Sequence, residues 1–202
     1  MQTSHEKPTR GRPKTFDRNH VLGIAMWAYW QDGHAAVSLN SICQRAKVAK
    51  SSLYKEFGSE DGLKQAVLVD YHKMTLAPLY EMLNGDQPFH KALQALSVYI
   101  LRDHEEHGIP NGCMFVDFCQ SRDQLGDLVG DQVDRFRALS LSTFERWIER
   151  AVADGELDVS VSPRTAALYI DAQIATIMNM QRQGASTKEV ATVFRLALSV
   201  FE

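Results

Sequence analysis

Two groups of residues in this sequence have the types and spacing for chemistry, and the chemistries differ. The first is Lys50-Ser51-Ser52-x-Tyr54-Lys55, with Lys47 just upstream and Ser38 before it. Two ammonium groups, two hydroxyls and a phenol within six residues form a donor set suited to phosphate oxygens and to the acceptor edges of bases. Lys50 and Lys55 suit phosphates or guanine edges, while Ser51, Ser52 and Tyr54 suit docking. Ahead of them lies Arg10-Gly11-Arg12-Pro13-Lys14. Flexible Arg-rich arms of this kind insert into narrow A·T-rich minor grooves, where the potential is most negative. The second group is Asp103, His104 and His107, a few residues before Cys113. Acid, base and thiol are the ingredients of nucleophilic catalysis, but no orienting partner or oxyanion hole can be assigned to them. They read instead as a solvated helix end. The chain holds no G-x-S-x-G, no glycine-rich phosphate loop, no H-E-x-x-H and no C-x-x-C. No enzyme activity and no cofactor are expected. Cys43, Cys113 and Cys119 are sparse and lack metal-ligand spacing, which fits a reduced cytoplasmic protein without a bound metal.

The donor set must be held outward by short helices. Ser38 is an N-cap, with Val37 and Ile42 at hydrophobic-staple positions. Leu39, Ile42, Cys43 and Ala46 share one face of the helix that follows. Lys47-Val48-Ala49 is the turn, with Val48 as its inward plug. The next helix starts near Lys50 and sends Leu53 and Phe57 inward. Gly58 stops it, and Ser59 caps another helix that has Glu60 and Asp61 in its first turn. Upstream, Asp17 caps a helix running to about Gln31 and ending at Gly33, with Phe16 and Val21 as its staple. Two short helices around a tight turn, the second with a polar outer face, form a helix-turn-helix suited to the DNA major groove.

Over about residues 16–70 these features resemble the DNA-binding domain of the TetR-family transcriptional regulators. The resemblance rests on Ala46-x-Val48-x-Lys50-Ser51-Ser52-Leu53-Tyr54-x-x-Phe57-Gly58-Ser59-x-x-x-Leu63 and, upstream, on Ala25-Met26-x-x-Tyr29-Trp30-x-x-Gly33-His34. Lys47 stands where that family usually has a turn glycine, His34 where it has tyrosine, Glu56 where tyrosine is common, and Glu60 where lysine often meets phosphate. The resemblance implies a homodimer on a pseudo-palindromic double-stranded operator, repression as the usual mode, and release by a small-molecule effector. Asn111-Gly112-Cys113 also resembles a glycine-cysteine element of some relatives, including ones that sense electrophiles.

The rest of the chain reads as helices, so the fold class is all-α. One helix runs from Glu60 to about Leu83, kinked at Pro78, and in the resembled family it is the lever joining the DNA domain to the body. Others span 89–106, 113–119, 125–154, 162–184 and 186 to the end. The apolar run Cys113–Cys119 has the length of a strand, but nothing nearby could pair with it, so it is read as helix. Ser162-Pro163 and the capping box Ser186-x-x-Glu189 start the last two. Both are apolar over more than one face, which predicts a four-helix bundle with a second copy. Three parts follow: a flexible basic arm at 1–15, a helix-turn-helix domain at 16–60, and a helical effector-binding and dimerisation domain at 61–202. Cys113, Phe115, Phe118, Phe144, Trp147, Tyr169, Gln173 and Met178 are the candidate effector contacts.

Charge agrees with this division. Residues 1–60 carry 9 Lys+Arg against 5 Asp+Glu, or +4, which leaves 13 against 20, or −7, for the remainder. Only the basic end is expected to meet a polyanion. No apolar run reaches membrane length and no secretory signal leads the chain, so a soluble protein without a membrane partner is expected. Two further readings remain open: a thiol-based electrophile or redox sensor using Cys113, and a constitutive architectural DNA-binding protein.

Overall fold

The computed structural model describes residues 16–158 and 160–201. Arg10, Arg12 and Lys14 lie outside these residues. Among the described residues every regular element is a helix. α1 (Arg18–Asp32), α2 (Leu39–Ala46) and α3 (Lys50–Phe57) form the N-terminal unit. The caps fall where the residue types place them. Asp17 accepts from His20 N, and Ser38 accepts from Ser41 N at 3.2 Å. Leu22, Ala25, Tyr29, Ile42 and Leu53 fill the core of this unit.

The turn between α2 and α3 has an unusual feature. Lys47 has φ +54, the one non-glycine residue with positive φ among the described residues. A left-handed conformation is what the turn needs, and it costs a side-chain-bearing residue about 1 kcal/mol.

α4 (Glu60–Tyr71) is capped by Ser59, and α5 (Ala77–Asn84) continues it after a wide π turn, His72–Leu76. The expected kink at Pro78 is therefore a slipped register. Proline has no N–H, and its ring crowds the carbonyl four residues back, so the ladder widens just before it. Ala77 N reaches back to His72 O.

α6 (Phe89–Ile100) is shorter than the expected 89–106. Asp103 ends the helical option, because its carboxylate accepts from the backbone N–H of Glu105 and Glu106 at 2.8 and 3.0 Å. After this loop come α7 (Met114–Gln120), α8 (Asp127–Ala153), α9 (Pro163–Arg182) and α10 (Thr187–Leu198). Both halves of the capping box at Ser186 and Glu189 are formed. α8 packs along α9 and against α4 and α5, so the lever lies between the N-terminal unit and the body. No helix among the described residues is long and apolar enough to cross a membrane.

Candidate nucleic-acid interface and effector cavity

α3 has one fully buried side chain, Leu53. Lys50, Ser51, Tyr54 and Lys55 are exposed, and Ser52 is half-buried. Phe57 tucks under Phe16 edge-on, with ring centroids 6.2 Å apart. The Lys50 ammonium lies 5.7 Å from the centre of the Tyr54 ring, a cation–π contact that holds both side chains on the outer face. Glu56 is engaged by Arg18 at 3.2 Å, which partly neutralises the one acidic residue of the helix. Lys47 and Ser38 are exposed at the two ends of α2, and the Ser38 oxygen is occupied as a cap. The sequence candidates from 38 to 55 are thus exposed or half-buried, all of them outside the core. His34 does not join them. It is buried and packs its ring against Phe118, 4.4 Å between centroids.

The body holds a cavity of about 420 Å³ among α5, α7, α8 and α9. Leu76, Leu79, Phe115, Val116, Phe144 and Ile174 make its wall apolar, and Tyr80, Ser140, Arg137 and Asp171 supply the polar points. Burial pushes the Asp171 carboxyl above its ordinary value, against the pull of Arg137, whose nearest nitrogen is 3.9 Å away. Burial likewise raises the Tyr80 hydroxyl. Cys113 and Cys119 both line the cavity. Burial pushes the Cys113 thiol up, outweighing the hydrogen bond from Tyr71, and takes Cys119 up to about 12.

Of the residues expected to line an effector site, Cys113, Phe115 and Phe144 border this cavity. The other five are not among its lining residues. Phe118 is fully buried against Tyr29 and His34 where the body meets α1. Trp147 stacks on Phe89 at 4.7 Å. Tyr169 donates to Ala197 O, tying α9 to α10. Met178 is buried with its carbonyl beside Gly112, and Gln173 lies outside the cavity lining. Helical periodicity reports that such residues are inside, not which side of α9 or α8 they serve. The reading missed Tyr80, Arg137, Ser140 and Asp171. Asp171 had a signal, a carboxylate set between Ile170 and Ile174 on an apolar helix.

The Asp103, His104 and His107 cluster does not assemble around a thiol. Asp103 caps its own loop, and His104 bonds Asn111 Oδ1 at 3.0 Å. No three His, Cys, Asp or Glu side chains converge as metal ligands among the described residues.

Contacts from the cavity reach the N-terminal unit. Tyr71 of α4 donates to Cys113 Sγ at 3.3 Å and meets Trp30 of α1 edge-to-face, centroids 4.9 Å apart. Trp30 Nε1 donates to Gly112 O at 3.0 Å. Asp61, in the first turn of α4, accepts from Leu128 N at 2.8 Å and so caps the start of α8.

Comparison with known proteins agrees with this architecture. Residues 25–67 match the family described as bacterial regulatory proteins, tetR family. The chain is 24% identical over 188 residues to the HTH-type transcriptional repressor ComR of Escherichia coli K12, covering 93% of this chain and 90% of that one. It is 29% identical over 123 residues to the repressor BdcR of the same organism, covering 61% and 62%. Among solved structures, a cysteine mutant of the TetR family regulator CifR, in complex with 26-bp operator DNA, superposes with a TM-score of 0.80 at 22% identity, over 95% of this chain and all of that one. Reduced NemR of E. coli gives 0.78 at 18%, over 92% and 97%. Residues 90–197, more than half of the chain, match the tetracyclin repressor-like C-terminal domain. With both halves matched in order, the chain belongs to the TetR family and is a DNA-binding transcriptional regulator, not an enzyme.

Proposed function

We propose that the protein is a dimeric repressor that reads a pseudo-palindromic operator with α3 and leaves it when a small molecule fills the 420 Å³ cavity. The outer face of α3 carries this reading. Its exposed lysines, serine and tyrosine contribute nothing to the core, so their role is external. ComR and BdcR are repressors, and CifR has been captured on a 26-bp operator, which supports the same partner here. Operator binding would put its work in the cytoplasm. Arg10, Arg12 and Lys14 would add minor-groove contacts, and Ser38 and Lys47 would flank α3 on the phosphates.

A second copy is supported by an apolar stripe on the last helix and the turn after it. Val193, Leu196 and Val200 recur at i, i+3 and i+7 along α10 and the turn after it, and all are exposed, Leu196 at 74%. Side chains of this size on one face favour association. A two-fold axis there would fix the distance between the two copies of α3.

The effector reading rests on the cavity being large, mainly apolar and furnished with a few polar groups, as small-molecule sites are. A purely architectural DNA-binding protein has no use for it. The thiol-switch reading has weaker support, since burial keeps the Cys113 and Cys119 thiols protonated. The test is selection of duplexes from a random pool by the full chain, followed by gel shift and sedimentation. Two-fold symmetric sequences bound by a dimer are expected. Recovery of no preferred sequence, or a monomer on DNA, would refute the reading.

A further inference from the structure

α1 stops where its next helical hydrogen bond would run from His34 N to Trp30 O. Neither group makes that bond. Asp117 Oδ2 accepts from His34 N at 3.2 Å, and Arg182 Nη2 donates to Trp30 O at 3.3 Å. The two side chains are themselves paired, Arg182 Nη1 to Asp117 Oδ1 at 3.2 Å. An ion pair from the body therefore takes the place of one rung of the α1 ladder. Both partners are partly buried, at 28% and 23% exposure, so water screens them less than it screens a surface pair.

The two residues come from the helices that wall the cavity. Asp117 is on α7, which contributes Phe115, Val116 and Cys119 to it. Arg182 ends α9, which contributes Asp171, Ile174 and Ala175. The stem of Arg182 is fixed as well. It lies so close to Gly112 that a Cβ there would come within 3.2 Å of Arg182 Cβ and 2.8 Å of Met178 O. Hydrogen bonds of 3.2–3.3 Å are near the end of their useful range, so a relative shift of α7 and α9 by about 1 Å would break them.

We infer that Asp117 and Arg182 are positioning residues that hold the DNA-binding unit at its operator-competent angle and carry changes in the cavity to it. The second half rests on the cavity being the effector site. Neither residue lies on the helix-turn-helix, Asp117 being on α7 and Arg182 on α9. They act by fixing the end of α1, against which α4 and α2 pack.

The test uses the full chain, a duplex selected by the wild type, and the same duplex with its half-sites moved one or two base pairs closer or apart. Arg182→Gln is expected to raise Kd for the selected duplex about tenfold and to flatten the preference for its spacing, a typical coupling between sites. Arg182→Lys keeps the charge and is expected to restore part of both. Asp117→Asn should reproduce Arg182→Gln and stands in for it should that variant not fold, as judged by circular dichroism melting. Ala175→Trp is an occupant built into the cavity. It is expected to weaken operator binding in the wild type and to add nothing in Arg182→Gln. Unchanged affinity and spacing preference in folded Arg182→Gln and Asp117→Asn would overturn the positioning role. An equal loss from Ala175→Trp in both backgrounds would overturn the coupling while leaving the cavity its effector role. No loss from Ala175→Trp in either background would overturn the effector reading and the coupling with it.

Discussion

α3 and α7 are eight and seven residues long, and the fold uses them in opposite ways. α3 buries Leu53 and turns its remaining chemistry outward. α7 buries Met114, Phe115 and Phe118, lines the cavity and grips the end of α1 through Asp117. The residues proposed to read DNA on α3 lie outside the core. Those of α7 that shape the cavity and the junction are the same ones that hold the body together. On the proposed reading, operator choice would change at α3 without disturbing the core, whereas a change on α7 would alter core and cavity together.

Phe118→Ala should show the largest effect. The ring is fully buried between Tyr29 and His34, and its loss should cost about 3–5 kcal/mol in urea unfolding. A cost below about 1 kcal/mol would mean that α7 is no more committed to the core than α3. Next come Lys50→Ala and Tyr54→Ala on the other helix. Each should weaken binding of the selected duplex about tenfold at moderate salt while stability stays within about 0.5 kcal/mol. Lys50→Ala should also lower the salt-dependence slope by about 1. Retained affinity in both would remove α3 from the interface.

The pH dependence of melting separates the regions by a smaller margin. Burial lowers the pKa of His34, His72 and His104 in the folded chain. As pH falls below about 6.5 the unfolded chain takes up these protons first. Stability is thus full above that value and declines below it. The melting temperature should be lower at pH 5.5 than at 7.5, and His34→Phe, which can keep the stack on Phe118, should make the decline shallower. An unchanged slope would mean that His34 is solvated. Lys47→Gly should have the smallest effect, a stabilisation of up to about 1 kcal/mol from relief of the left-handed turn, with weaker duplex binding from the lost cation.

The sequence marked element starts well because caps are local. Asp17, Ser38, Ser59, Ser162 and Ser186 each accept from the backbone N–H their type suggests. The outer face of α3 was equally readable, since one helical period sorts its inside from its outside. The cavity was only partly so. Cys113, Phe115 and Phe144 border it, but Phe118, Trp147, Tyr169, Gln173 and Met178 do not, because apolar character does not tell a packed core from a lined void. Asp117 and Arg182 carried no signal at all. They meet only when α7 and the end of α9 come together, and their backbone partners, Trp30 at the end of α1 and His34 just past it, are more than eighty residues from Asp117 in the chain.

The wide turn at His72–Leu76 has a mechanical consequence. It divides the shaft between the N-terminal unit and the body into two rods joined by a widened turn, and Pro78 keeps that turn from tightening. Leu79 and Tyr80 press on the void from beyond the turn and Leu76 from its last residue, while Tyr71 on the near side is wedged against Trp30. A push on the far rod is expected to bend the joint before it turns the near rod. Such a molecule needs a second strut to turn its reading head, and one that bypasses the joint would have to run from the void directly to the end of the first helix.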